Sequence, residues 1–357
     1  MKGRIIVIGA SYGGIEALSL LVAQLPPAFP APVFVVQHLG TGSTGALPRI
    51  LARAGSLPVS HPQHCELIEP GRIYVAPPER HMLVHRGYVA LSHGPRENRF
   101  RPAVDPLFRS AALAYGPAVV GVILTGHLDD GTAGLMAIKD QRGTTVVQDP
   151  LDAIAPSMPR SALASVAVDH RCNLAEMGAL LMMLASDDPA VADPGARDEL
   201  LATEVSLAEG GFTPPVWSKF EAMAIPVGIN CPDCGGALFM LRDRRVIRFR
   251  CRAGHAFSAQ SLRCAQSEDT ENKLGTLLGA FSDEVALARL LLDAAVEHPV
   301  DLRAALHSDI QSAELRTALV SEWLRTSLGP EAYSASTGDQ LRPAIDEMET
   351  TRDEGRR

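Results

Sequence analysis

The sequence predicts an α/β protein. Its main part reads as a doubly wound, mostly parallel sheet with helices on both faces, followed by a small cysteine-bearing ribbon and an α-helical hairpin. Three observations predict this. Residues 1 to about 186 alternate short branched apolar runs with helical patterns, as strand–helix–strand units do. Cysteines then cluster in one short stretch, at Cys231, Cys234 and Cys251. Beyond them, leucines recur at helical spacing on either side of Pro299.

The first strand, Arg4–Ile8, carries four branched apolar residues in a row, the mark of a strand buried on both faces. Small residues end it at Gly9-Ala10-Ser11-Tyr12-Gly13-Gly14 and let the chain turn into a helix over Ile15–Leu25. Further strands read at Pro32–Gln37, Arg72–Val75, Val119–Leu124 and Thr144–Val147, with a weaker one at Val166–Val168. Helical patterns lie near Ser43–Arg53, Asp105–Tyr115 and Thr132–Gln141, and Asn173–Ala185 closes the domain. Met82–Val84 and Tyr88–Leu91 flank Arg86-Gly87 and predict a hairpin at a sheet edge. The organisation expected is a catalytic domain over 1–190, a linker over 191–215 that separates the cores, with a short helix around Arg197–Ala208, the cysteine module over 216–262, a helical hairpin over 263–328, and a mobile charged tail over 329–357.

The totals narrow the classes. At 357 residues several modules are expected. A net charge of −8 argues against general nucleic-acid coating. No apolar run reaches membrane-spanning length, and Met1–Ile8 is too short for a signal peptide, so a cytoplasmic location without membrane insertion is expected.

The turn after the first strand admits three readings. As a dinucleotide fingerprint it would place Ser11 where a glycine must approach pyrophosphate, and the second strand ends in His38 where an acidic residue is expected. As Gly9-x-Ser11-x-Gly13 it fits a nucleophile elbow. The plainest reading makes Ser11 a helix cap. The context favours the elbow: Ser11, His38 and Asp130 all follow predicted central strands and fall along one sheet edge. Hydroxyl, imidazole and carboxylate are the parts of serine hydrolysis. The order Ser, His, Asp differs from that of α/β-hydrolases.

This pattern resembles the catalytic domain of the chemotaxis receptor methylesterases, the CheB family. The matching stretches are Ile8–Gly14, Val36-Gln37-His38, Ile73–Pro77, Arg101–Phe108, Thr125-Gly126 through Asp130-Gly131, and Met158-Pro159. The resemblance implies a triad of Ser11, His38 and Asp130 that hydrolyses glutamyl methyl esters on methyl-accepting receptor helices and deamidates receptor glutamines, with no cofactor for catalysis. It also implies oxyanion or substrate contacts at Tyr12, His127 and Arg101. The chain departs from the family where His127 replaces a Met, Leu128 replaces a Gly and Tyr12 replaces a Thr. Ser11 stands too near the first residue to leave room for the receiver domain that usually precedes this domain, so regulation through an attached receiver is not expected.

Cys231-Pro-Asp-Cys234 is a metal knuckle, and Cys251-Arg-Ala-Gly-His255 supplies a further thiolate and an imidazole. Three thiolates and one imidazole suit a closed, structural zinc site, with Cys264 as a rival to His255. Cys65 and Cys172 read as ordinary buried thiols. Arg242, Arg244, Arg245, Arg248, Arg250 and Arg252 crowd the module and predict either a solvated face or docking to an acidic protein partner. The rival to an esterase is a catalytically degenerate signalling adaptor that binds partners through its zinc module.

Overall fold

The computed structural model describes residues 3–38, 45–187, 198–243, 245–294 and 300–327. The expected tail over 329–357, residues 191–197 of the expected linker, and Arg244 lie outside them.

In chain order the elements are β1 (Ile5–Ala10), α1 (Gly14–Ala23), β2 (Val33–Gln37), α2 (Leu47–Ala54), β3 (Val59–Ser60), β4 (Glu66–Leu67), β5 (Ile73–Val75), β6 (His81–His85), β7 (Tyr88–Ser92), α3 (Val104–Tyr115), β8 (Val119–Ile123), α4 (Thr132–Asp140), β9 (Thr144–Gln148), α5 (Ser157–Ser165), β10 (His170–Cys172) and α6 (Leu174–Ser186). After these come α7 (Glu199–Ala208), α8 (Pro214–Ala222), β11 (Ala224–Asn230), β12 (Ala237–Leu241), β13 (Arg248–Cys251), β14 (Ala256–Ser258), α9 (Ala259–Ala294) and α10 (Val300–Ser327).

The main sheet has the order β10-β9-β8-β1-β2-β5-β3, and all its pairs are parallel. Strand β1 sits in the middle because it is buried on both faces along its whole length. Its side chains alternate between two cores. Ile5 and Val7 join the layer of α3, α4 and α5, while Ile6, Ile8 and Ala10 join that of α1, α2 and α6. From β1 the chain runs outward through β2 on one side and through β8 on the other. The switch point, where such folds open a crevice at the carboxyl ends of their strands, therefore lies at β1.

The weak strand expected at Val166–Val168 forms instead at His170–Cys172. Val166 caps α5, an element the sequence pattern did not reveal. The predicted hairpin is real, but it is no edge of the main sheet: β6 and β7 join β4 in a separate three-stranded sheet. Within the stretch expected as a linker, α7 buries Leu201, Val205 and Ala208 in the core beneath α3.

The chain divides into two compact units, Met1–Ala265 and Gln266–Arg357. The four-stranded ribbon β11-β12-β13-β14 belongs to the first. In the second, α9 and α10 are joined by Arg289–Glu314 and Arg316–Glu284 pairs, and the Arg316 guanidinium lies 4.6 Å from the centre of the Phe281 ring.

Candidate active site

Ser11 is the first residue beyond β1. Its N–H donates to the Thr125 carbonyl across the β1–β8 pair, and its own carbonyl accepts the Gly14 N–H at 2.8 Å. Gly13, at φ 75°, makes the turn into α1; a side chain there would be strained and would meet Ile154. His38 is the first residue beyond β2. Gln37 ties the two together, since its amide donates to the Ser11 carbonyl at 2.7 Å and to the His38 carbonyl at 2.9 Å. Beside the turn opens a largely apolar cavity of about 540 Å³, walled by Ala17, Leu20, Ile154 and Leu174.

The three residues expected to act together do meet. His38 Nδ1 lies 3.2 Å from Ser11 Oγ, and His38 Nε2 lies 2.7 Å from Asp130 Oδ2. A carboxylate can only accept, so the neutral ring carries its proton on Nε2 and turns the Nδ1 lone pair toward the hydroxyl. The ring is also held from the side, stacked on Phe100 at 3.8 Å between centres.

Asp130 is 2% exposed and saturated with donors. Besides His38, Oδ2 accepts the Val104 N–H at 2.7 Å, and Oδ1 accepts the Asn98 amide at 2.8 Å and the Asp105 N–H at 3.2 Å. Burial alone would raise its pKa. The His38, Val104 and Asn98 donors outweigh that and hold it below the usual carboxylate range. The adjacent carboxylate has a different allegiance, because Asp129 Oδ1 accepts a hydrogen bond from Ser258 Oγ in the ribbon at 2.7 Å. Asn98 and Asp105 are participants that residue-level reading missed. Asn98 donates to both acids, and burial together with the Asp130 charge pushes Asp105 up to about 7.

Tyr12 is exposed, with its ring 5.0 Å from that of His127. Among the described residues no hydrogen bond uses the backbone N–H of Tyr12 or of His127. Leu128 adopts a glycine-like φ of 61°, so the loop makes a left-handed turn at some conformational cost. Arg101 does not join Ser11. Its guanidinium donates to the His93 and Gly94 carbonyls and pairs with Glu79.

The ribbon gathers Cys231, Cys234, Cys251 and His255, whose ligand atoms all lie within 4.8 Å of one another. Cys234 Sγ and Cys251 Sγ are 3.6 Å apart, and His255 Nδ1 is 3.7 Å from Cys231 Sγ and 3.6 Å from Cys251 Sγ. Zinc bond lengths give tetrahedral edges of about 3.8 Å between sulfurs and about 3.6 Å from sulfur to nitrogen. The set therefore fits one four-coordinate ion. Cys264 lies on α9, outside this group. Cys65 is exposed and Cys172 half-buried, so neither is the buried thiol expected; Cys65 sits at a tight turn with φ 64°.

Among the described residues, Arg245, Arg248, Arg250 and Arg252 of the ribbon pair with acids of the same chain. Arg250 pairs with Glu97 at 2.8 Å and Arg248 with Glu204 at 2.6 Å, while Glu97 and Glu204 also face Arg109 of α3. Glu97, Glu204, Arg109 and Arg250 are all buried. On the surface, Arg245 pairs with Asp140 and Arg252 with Glu221.

Comparison with known proteins bears on this geometry. Residues 6–181 match the family described as CheB methylesterase. A relative from Leptospira interrogans is 40% identical over 185 residues, which make up 52% of this chain and 96% of the relative. The chain belongs to the CheB methylesterase family. A protein-glutamate methylesterase/protein-glutamine glutaminase of Anaeromyxobacter dehalogenans is 44% identical over 167 residues, 47% of this chain and 49% of that one. The protein-glutamate methylesterase FrzG of Myxococcus xanthus is 38% identical over 179 residues, 50% of this chain and 54% of that one. The chain thus spans about half the length of these last two. The crystal structure of the Thermotoga maritima CheB methylesterase catalytic domain, 34% identical, covers 52% of this chain and 100% of its own, with a TM-score of 0.50. The family match ends before the ribbon. Among the described residues no helix is long and apolar enough to cross a membrane.

Proposed function

We propose that this CheB-family chain is a serine esterase that hydrolyses glutamyl methyl esters, and deamidates glutamines, on the helices of methyl-accepting chemotaxis-type receptors. The observation that carries the reading is the hydrogen-bonded series from Ser11 Oγ through His38 to Asp130 at the switch point of the sheet. Its support from relatives is that two of them bear protein-glutamate methylesterase names at 38% and 44% identity.

In this reading Ser11 Oγ attacks the ester carbonyl while His38 Nδ1 takes its proton. Charge builds on the carbonyl oxygen, and the unengaged N–H groups of Tyr12 and His127 receive it. The carbon–methoxy bond breaks, and methanol leaves with the proton returned by His38. Water then attacks the acyl-enzyme with His38 again as base, giving glutamate and free Ser11. A glutamine substrate follows the same course and releases ammonia. Asp130 stays ionised and fixes the Nε2–H tautomer throughout. Arg101 has no step here. Catalysis needs no cofactor, and the ribbon, residues 216–262, holds a structural zinc ion at Cys231, Cys234, Cys251 and His255.

The test is methanol release from a methylated receptor fragment, together with labelling by a fluorophosphonate. Wild type should turn over and label at Ser11. Ser11→Ala and His38→Ala should each lower kcat by about 10⁴-fold or more, and the double variant should be little worse. Turnover that survives Ser11→Ala would refute the covalent mechanism. A folded protein that neither labels nor turns over would favour the adaptor.

A further inference from the structure

Between the triad and the ribbon lies one side chain that touches both. Asn98 is buried, 4% exposed, on the loop before α3. Its amide nitrogen donates to Asp130 Oδ1 at 2.8 Å and to Asp105 Oδ2 at 3.0 Å. Its amide oxygen accepts the Ser258 backbone N–H at 2.8 Å and the Ser261 hydroxyl at 2.9 Å. Ser258 ends β14 and Ser261 lies in the first turn of α9, so both donors to the Asn98 oxygen come from the last strand of the ribbon and the helix that follows it.

The loop itself is stitched to the same strand. Asn98 N–H donates to the Ala256 carbonyl at 2.8 Å, and Ala256 N–H donates to the Arg96 carbonyl at 3.2 Å. Asn98 and Arg99 both have left-handed φ, 49° and 76°, a backbone that surrounding contacts must hold in place. Next to Asn98, Glu97 takes the buried pair with Arg250 of β13.

An asparagine amide has a donor end and an acceptor end of nearly the same shape. Only its partners decide which end faces where. On the triad side both partners are acids; on the ribbon side both are donors. The acids and the ribbon donors therefore select the same orientation, in which N–H, and not C=O, faces Asp130. Turned the other way, the amide oxygen would oppose two buried carboxyl groups, and Asp130 would lose one of the donors that keep it ionised.

We propose that Asn98 is a positioning residue for Asp130, and that Ser258 and Ser261 of the docked ribbon hold it in that orientation, so that the ribbon is a working part of the catalytic unit. This rests on the esterase reading above. Asn98 lies behind Asp130, so the relay acts on turnover and leaves substrate affinity alone. A ribbon that merely recruits receptor would do the reverse.

The experiment uses the full chain, with kcat and KM measured on methylated receptor fragment and active sites counted by fluorophosphonate. The low-field proton resonance of His38 Nε2–H is recorded alongside. A hydrogen bond to a charged group sets the expected loss for Asn98→Ala at about 10- to 100-fold in kcat per active site, with KM within about twofold. Ser261→Ala removes one neutral donor and should cost about 2- to 10-fold in kcat, again without KM. Both should shift the His38 resonance. If Asn98→Ala does not fold, Ser261→Ala decides. An unchanged kcat with an unchanged His38 resonance, or a loss confined to KM, overturns the relay. If wild type releases no methanol, the esterase reading fails separately, and the His38 resonance alone then judges the relay: a shift in Ser261→Ala supports it and no shift overturns it.

Discussion

Replacing Glu97 by glutamine should unlock the ribbon from the catalytic layers, and the structure sets the size of the effect. The Glu97 carboxylate is 1% exposed and paired with Arg109 and Arg250, themselves 2% and 1% exposed. Burial alone would raise its pKa, but the Arg109 charge, then those of Arg250 and His81, bring it down to about 2. That fall from the ordinary 4.5 converts to about 3 kcal/mol. A depressed carboxyl contributes fully above its unfolded pKa, so this stabilisation is present at neutral pH and is lost as pH falls from about 4.5 through about 2. Glu97→Gln removes the charge, leaves Arg250 with the Gly254 carbonyl in place of a carboxylate, and leaves Arg109 sharing Glu204 with Arg248. Removing one partner of a buried pair costs about 3–5 kcal/mol, in line with the figure from the pKa. Urea unfolding followed by circular dichroism measures it. A double-mutant cycle with Arg250→Met isolates the bond between loop and ribbon and should give a coupling of about 2 kcal/mol. A loss below about 1 kcal/mol for Glu97→Gln, or no coupling with Arg250, would refute the argument that this pair holds the ribbon in place.

Three further outcomes follow from the same geometry. Asp130→Asn should lower kcat by about 10⁴-fold by favouring the wrong imidazole tautomer, while Asp129→Asn, which faces Ser258, should cost less than about tenfold; the reverse ranking would move the role to Asp129. Metal analysis of protein purified without added metal should find roughly one zinc per chain, lost in Cys234→Ser, and metal-free protein with an intact ribbon would count against the site. Asp105, pushed up to about 7, takes up a proton on folding, a contribution that is full below about pH 4 and lost as pH rises through about 7; thermal stability should therefore fall between about pH 4 and about 7 and level off above that, and Asp105→Asn should flatten that slope.

The strands of the main sheet were legible because burial on both faces leaves an unbroken apolar run, as in Ile5–Ile8 and Val119–Ile123. His38 was legible because it follows such a strand directly, Asp130 because it lies on the loop that leaves β8, and the ligand set because its spacing is local. Short β3 and β4 carry too few residues for a period to show. Helix α5 begins at Ser157-Met158-Pro159, where the proline masks the helical pattern. Asn98 gave no signal at all: it sits in a polar turn, and its decisive partners are 32 and 160 residues away. The arginines of the ribbon were legible as a charge run but not as a buried contact. What turns Arg248 and Arg250 inward is Glu204 and Glu97, two isolated acids that no local pattern marks.

That last contact changes what the ribbon can be. A module on a free linker would leave its cationic face to solvent and could be moved without touching the triad. Here the face closes on carboxylates that Arg109 also holds, and Arg109 belongs to α3, whose first residue, Val104, donates its N–H to Asp130. Helix α7 adds Leu201 and Val205 to the same core while Glu204, on the same helix, meets Arg248. A boundary drawn at residue 190 would strip α3 of this cover and leave Glu97 and Arg109 with half their charge partners gone, the costly case for buried ions. The smallest piece that satisfies every buried charge described here runs from β1 through the start of α9, which is also where the first compact unit ends.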